Sequence, residues 1–340
     1  MEINKQKMPS GNDRDGYIGT YYSESSKGVY HFTFNEESGE ITEPELFYTA
    51  ENAKWVSLNG DSLVFPIEKE GKAGTCFLKL ENGSIKSSEE VLEEKQTPCY
   101  IHQDGEFVYT ANYHEGTVMV YRLKDGKTSV EKRIENGEEA GCHQILLHDT
   151  YLMVPCLIQN KIRLFDRQNG FLPMGEICFP EGTGPRHGVF NKAHTKFYVV
   201  SEWSNELFIF KVDGSAFKLQ QALSVLPESE KEGMEDAASA AVRLTKDERF
   251  LYVSVRGREL LAVIDVSQKE AAVIQHVSCG GRHPRDFILS ENERFLITVN
   301  RFEGGMVSME RDCNSGKIKD VVSRSAMPEG VSVVLEEVLR

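Results

Sequence analysis

The chain has 340 residues, 40% of them hydrophobic, and sets 39 Lys and Arg against 53 Asp and Glu for a formal net charge of −14. That composition supports a substantial core and argues against broad binding to nucleic acid or an anionic membrane, both of which need a basic field. Any anion the protein binds must therefore meet a local basic patch.

The opening MEINKQKMPS has no apolar run behind a basic start, and residues 1–15 are expected to form a flexible N-terminal segment. No window approaches eighteen consecutive apolar residues, so a cytoplasmic protein that is not exported is expected. The seven cysteines, Cys76, Cys99, Cys142, Cys156, Cys178, Cys279 and Cys313, are scattered without a CxxC pair, as suits a reducing compartment. Asn82-Gly83-Ser84 then reads as a turn rather than a glycosylation site.

From Val29 onward a short apolar strand recurs seven times: GVYHF, GTCFLKL, GTVMVY, NKIRLF, NELFIF, ELLAVI and GGMVSM. Anchored at Val29, Cys76, Val118, Ile162, Leu207, Leu261 and Met306, the steps are 47, 42, 44, 45, 54 and 45 residues. A period of about 40 to 50 residues is that of propeller blades. Each strand but the first follows a strand, turn and strand unit, as in YIHQDGEFVYTANY, QILLHDTYLMVPCL, GVFNKAHTKFYVVSEW, AVRLTKDERFLYVSVR and DFILSENERFLITVN.

Helix signals are nearly absent, and EEVLEEK near Val91 reads as a charged edge strand and loop. The first repeat lacks its opening strand, whereas Val331-Ser332-Val333-Val334-Leu335 is left over at the end. The expectation is one all-β domain over residues 1–340, a seven-bladed β-propeller whose C-terminal strand joins the first blade and hides its edges. A ring closed on itself needs no partner to fold, so a monomer is the default.

In such a meander the residues before the first strand of a blade and after the second meet at one mouth of the channel. Unusual polar residues fall there: Cys142-His143-Gln144, Gly184-Pro185-Arg186-His187, Arg282-His283-Pro284-Arg285-Asp286, Asn112-Tyr113-His114, Ser201-Glu202-Trp203, Val255-Arg256-Gly257-Arg258 and Asn300-Arg301. Arg186, Arg256, Arg258, Arg282, Arg285 and Arg301 are thus expected on one face, suited to a carboxylate or phosphate. Taken singly, each has a plainer explanation. Arg285 and Asp286 could form an ion pair between blades, His143 or His187 could be satisfied half-buried histidines, His114, His283 and Tyr113 could be loop residues, and Trp203 could simply pack.

These segments resemble the propeller-type lactonase family that includes 6-phosphogluconolactonase and the fungal muconate-lactonizing enzymes. The resemblance runs from about Gly16 to Val334 and is carried by GPRHGVF, SEWSNEL, VSVRG, GRHPRDF and TPCYIHQDGEFVYTANYHEGTVMVY. It implies a functional set of His143, Arg186, Glu202 and Arg256. This chain departs from the family pattern at Gly141-Cys142, Cys156-Leu157-Ile158 and Val255.

What the resemblance implies is metal-independent hydrolysis of a sugar-acid lactone, 6-phosphogluconolactone first among them, with no cofactor. His143 or Glu202 would be the general base, and Arg186 and Arg256 would bind the oxyanion or the substrate's anionic end. His187, Arg285, Arg258, Tyr113 and His114 are further candidates for substrate contact. No His or Cys spacing resembles a zinc site, and no Gly-x-Ser-x-Gly elbow supplies a serine nucleophile. The same residues could instead run an intramolecular lyase or isomerase, or the ring could be a non-catalytic binding module.

Overall fold

The computed structural model describes residues 11–124, 126–230 and 236–337. Among these residues the chain forms seven four-stranded antiparallel sheets, here blades 1 to 7 in ring order. The seven recurring apolar strands are the third strand of each blade: Gly28–Asn35, Lys72–Glu81, Thr117–Lys124, Lys161–Asp166, Glu206–Asp213, Leu260–Asp265 and Met306–Arg311.

Burial explains the sequence pattern strand by strand. Second strands such as Tyr151–Cys156 and Phe250–Arg256 are buried almost throughout, because a neighbouring blade covers each face, and they read as continuous apolar runs. Fourth strands lie at the rim and are largely exposed; Ser84–Glu94, which contains EEVLEEK, is one of them. The apolar side chains gather into seven clusters among the described residues, each made from two adjacent blades. The core is therefore a ring of blade interfaces around a polar channel.

Closure is as the sequence anticipates. Gly330–Leu335 is the innermost strand of blade 1 and pairs antiparallel with Asp13–Thr20, Ile18 facing Val333. Two side chains bind this strand to its neighbours: Asp286 Oδ2 of blade 7 accepts the Val333 N–H at 3.2 Å, and Ser332 Oγ accepts the Val56 N–H of blade 2 at 3.2 Å. The expected flexible segment needs a correction at its end, since Asp13, Arg14 and Asp15 pair with Asn35, Phe34 and Thr33 in the sheet. Residues 1–10 lie outside the described residues. Among those described, no helix is long and apolar enough to cross a membrane.

Candidate active site

The hairpin that joins the first and second strands of a blade sets a common register. The last paired residue before the turn is Asn59, Asp104, His148, Asn191, Thr245 and Ser290 in blades 2 to 7. Counting five residues back from each gives Lys54, Cys99, His143, Arg186, Ala240 and Arg285, one rung at the same mouth of the channel. In blades 5, 6 and 7 the register shifts across this rung, between Pro185 and His187, Ser239 and Val242, and Pro284 and Asp286. A bulge of this kind leaves its extra residue unpaired and re-aims the side chain.

Cross-blade latches fix the rung. Gln144 Nε2 donates to the Gly188 carbonyl at 3.1 Å and its Oε1 accepts the Gly188 N–H at 2.6 Å, which holds blade 4 against blade 5. Asn205 does the same between blades 5 and 6, donating to the Ala237 carbonyl at 3.0 Å and accepting from the Ser239 N–H and hydroxyl at 2.8 Å. Beside it the Glu202 N–H is pinned by the Gly184 carbonyl at 2.8 Å. Gly184 has a φ of +63°, and a side chain there would strike the Trp203 ring that packs over it.

These constraints bring four side chains together. Arg186 Nε and Arg256 Nη2 both donate to Glu202 Oε2 at 2.8 Å. Arg186, only 1% exposed, also donates from Nη1 to the Ala240 carbonyl at 2.6 Å, and Arg256 Nε donates to the Ala238 carbonyl at 3.1 Å. His143 Nδ1 lies 3.2 Å from His187 Nε2, and the His187 ring in turn lies 3.4 Å from Arg186 Nη1. Arg186 Nη2, Arg256 Nη1 and Glu202 Oε1 have no hydrogen-bond partner among the described residues. They are the donors and acceptor left for a ligand.

The electrostatics follow from burial in a field of arginines. Burial, reinforced by Arg186, His187 and Arg285, holds His143 well below the usual imidazole range, so the ring is neutral at neutral pH. Burial and Arg186 do the same to His187. Burial alone would push Glu202 up, but Arg256, Arg186 and Arg285 hold it below the ordinary carboxylate range.

Of the remaining expected residues, Tyr113 sets its ring edge-on to His143 with centroids 5.9 Å apart, and the exposed His114 packs on Tyr113 at 5.2 Å. His187 is 1% exposed and walled by Trp55 and Tyr100, with ring centroids 5.9 and 5.5 Å away. It lies between His143 and Arg186, in contact with both. Arg258 donates from Nη1 to the Gly257 carbonyl and makes no contact with Arg186, Glu202 or Arg256 among the described residues. Arg282 pairs with the exposed Glu303. The six-arginine face thus contracts to Arg186, Arg256, Arg285 and Arg301.

The Arg285–Asp286 pair that the plainer explanation allows does not form. Arg285 is the extra residue of the bulge between Pro284 and Asp286; Asp286 turns to Arg243 of blade 6 at 2.7 Å, while Arg285 lies over the Tyr21 ring. Sequence reasoning missed Tyr21, Lys54 and Trp55, which belong to the first two repeats. The offset of five residues from the Asn59 turn would have found Lys54. Among the described residues, no group of three or more His, Cys, Asp or Glu side chains is placed to hold a metal ion.

Comparison with known proteins agrees with the seven-bladed fold. The chain is 30% identical over 341 residues to a 6-phosphogluconolactonase of Bacillus subtilis, covering 94% of this chain and 97% of the relative. A crystal structure of a protein from Lactobacillus plantarum superposes with a TM-score of 0.88 at 26% identity, covering 96% of this chain and all of that one. The periplasmic gluconolactonase of Pseudomonas aeruginosa shares the fold, with a TM-score of 0.84 at 20% identity over 96% of this chain and all of its own. The family model described as lactonase, 7-bladed beta-propeller, matches residues 15–335, and the chain belongs to that family.

Proposed function

We propose that the protein hydrolyses a sugar-acid lactone at this mouth, with 6-phosphogluconolactone as the substrate, in the cytoplasm. The observation that carries the reading is the pairing of two arginines on one oxygen of Glu202 beside a neutral, buried histidine. It is supported by the family and by the 6-phosphogluconolactonase relative at 30% identity. Seven free cysteines, two of them exposed, fit a reducing compartment.

Hydrolysis needs a base for water, donors for the oxyanion and a proton for the leaving ring oxygen. His143 is the better base. Glu202 Oε2 is occupied by two guanidinium groups that it holds in place, whereas neutral His143 has an unprotonated nitrogen that no arginine occupies. In this scheme His143 takes a proton from water as the water oxygen attacks the lactone carbonyl. The unsatisfied N–H groups of Arg186 and Arg256 receive the developing oxyanion. When the tetrahedral intermediate collapses, the bond from the carbonyl carbon to the ring oxygen breaks, and that oxygen takes the proton back from His143.

The test is the rate of opening of freshly generated 6-phosphogluconolactone, corrected for spontaneous hydrolysis, in water enriched in oxygen-18. The expected result is a rate far above background with one labelled oxygen in the product carboxylate. A rate no greater than background would overturn the assignment.

A further inference from the structure

We infer that the mouth holds a second anion subsite, formed by Lys54 and Arg285 across the channel from His143, that takes a phosphate dianion carried by the substrate. The inference deepens the lactonase reading and rests on it for the identity of the substrate, but not for the existence of the subsite.

The common rung places the two cations. Lys54 belongs to blade 2 and Arg285 to blade 7, so they flank blade 1, and in a ring of seven the blades opposite blade 1 are 4 and 5, which carry His143 and Arg186. The residue before Lys54 is held against blade 1, since the Ala53 carbonyl accepts the Thr20 N–H at 2.9 Å. Arg285 stacks on Tyr21 of blade 1, with its guanidinium 5.5 Å from the ring centroid, and Arg301 covers the same ring at 4.2 Å.

The charges do not balance. Arg301 is paired with Glu329 at 2.7 Å, and Arg186 and Arg256 share Glu202. Lys54 and Arg285 form no side-chain hydrogen bond or ion pair among the described residues, although both are half-buried. Five cations therefore meet two contacting carboxylates. Glu68 exerts a weaker influence on Lys54, but its Oε2 is taken by Asn52 Nδ2 at 2.8 Å, and Glu259 Oε2 accepts the His283 N–H; counting both still leaves an excess of positive charge.

Half-buried cations without partners are costly, and an anion that enters between them relieves that cost. Burial accordingly lowers Lys54 from the usual ammonium range. His283 belongs to the same surroundings: Arg256 and Arg285 both act on it, and its Nδ1 is buried with no partner among the described residues. The local excess of positive charge suits a phosphate group, in a protein whose overall charge is −14.

The experiment is calorimetric titration of the full-length protein with 6-phosphogluconate, gluconate and inorganic phosphate, using wild type, Lys54→Met, Arg285→Met and Lys54→Arg. The expected result is that 6-phosphogluconate binds at least tenfold more tightly than gluconate. Each methionine variant should lose that preference at least tenfold, and Lys54→Arg should keep most of it. Equal affinity for the two acids, or methionine variants that bind like wild type, would overturn the subsite.

Thermal unfolding in phosphate-free buffer gives a second reading. Removal of an unpaired cation should leave the melting temperature equal or higher, and added phosphate should raise it in wild type more than in either methionine variant. A lower melting temperature in Lys54→Met without a change in the phosphate response would mark Lys54 as structural. Because binding is read without turnover, a protein that shows this pattern but opens no lactone defeats the catalytic assignment alone. One that opens lactones without discriminating the phosphate defeats the subsite alone.

Discussion

Blades 4 and 5 meet in two histidine pairs, one near each end of the same strand. At one end His143 Nδ1 faces His187 Nε2 at 3.2 Å; at the other, His148 Nδ1 faces His194 Nδ1 at 3.0 Å. The second pair is fully accounted for within the protein. His148 Nε2 meets the Gly214 carbonyl at 2.8 Å, and its ring stacks on Phe190 and His194 at centroid distances of 4.9 and 5.3 Å. Among the described residues the first pair makes no cross-blade bond to a backbone carbonyl of that kind, and it stands among Arg186, Arg256 and Arg285. The two pairs share a residue type and a blade interface, so what separates a chemical histidine from a packing histidine here is the field around it.

Substitutions can break the comparison at either end. The largest effect is expected from Arg256→Met, which leaves Glu202 paired with Arg186 but removes one oxyanion donor; kcat for lactone opening, scaled to the folded fraction, should fall by about 10²- to 10³-fold. His148→Ala should do the opposite, costing about 3 kcal/mol of stability through lost stacking and an orphaned carbonyl, as read by denaturant unfolding, with the rate per folded molecule retained.

Acidification should act on the buried histidines. His143 and His187 have folded-state pKa values depressed below their unfolded ones. Their contribution to stability is therefore present above about pH 6.5 and is lost as the pH falls through the folded values, by about 1.4 kcal/mol per pH unit for each ring. Glu94, buried and pushed up to about 7, works the other way, because its protonated form suits the fold. His143→Gln should flatten the acid side of a plot of unfolding free energy against pH.

The smallest effect concerns the base itself. Arg285 is one of the charges that depress His143, so Arg285→Met should move the acid limb of kcat/KM upward by a fraction of a pH unit. An unmoved limb would mean that another group takes the proton.

The repeat made the architecture legible because each blade buries its strands in the same way, and the seven anchors from Val29 to Met306 fall on the third strands without exception. The leftover Val331–Leu335 showed how the ring closes for the same reason. The site was legible where repeats carry distinctive polar residues, at His143, Arg186, Glu202 and Arg256, but their partners were not. Asp286 gives its bond to Arg243 rather than Arg285 because a bulge sends Arg285 elsewhere, which composition cannot show. Lys54 and Tyr21 escaped notice because a lone lysine before a strand carries no signal until the turn register aligns it with His143 and Arg186.

The account's central claim is that His143, and not its counterpart at the other end of the strand, performs the chemistry. The direct test is the corrected initial rate of 6-phosphogluconolactone hydrolysis by wild type, His143→Gln and His148→Gln, each scaled to its folded fraction. A loss of at least about a hundredfold in His143→Gln with His148→Gln within a few-fold of wild type is the predicted result; a His143→Gln protein that keeps the wild-type rate, or an equal loss in both, would contradict it.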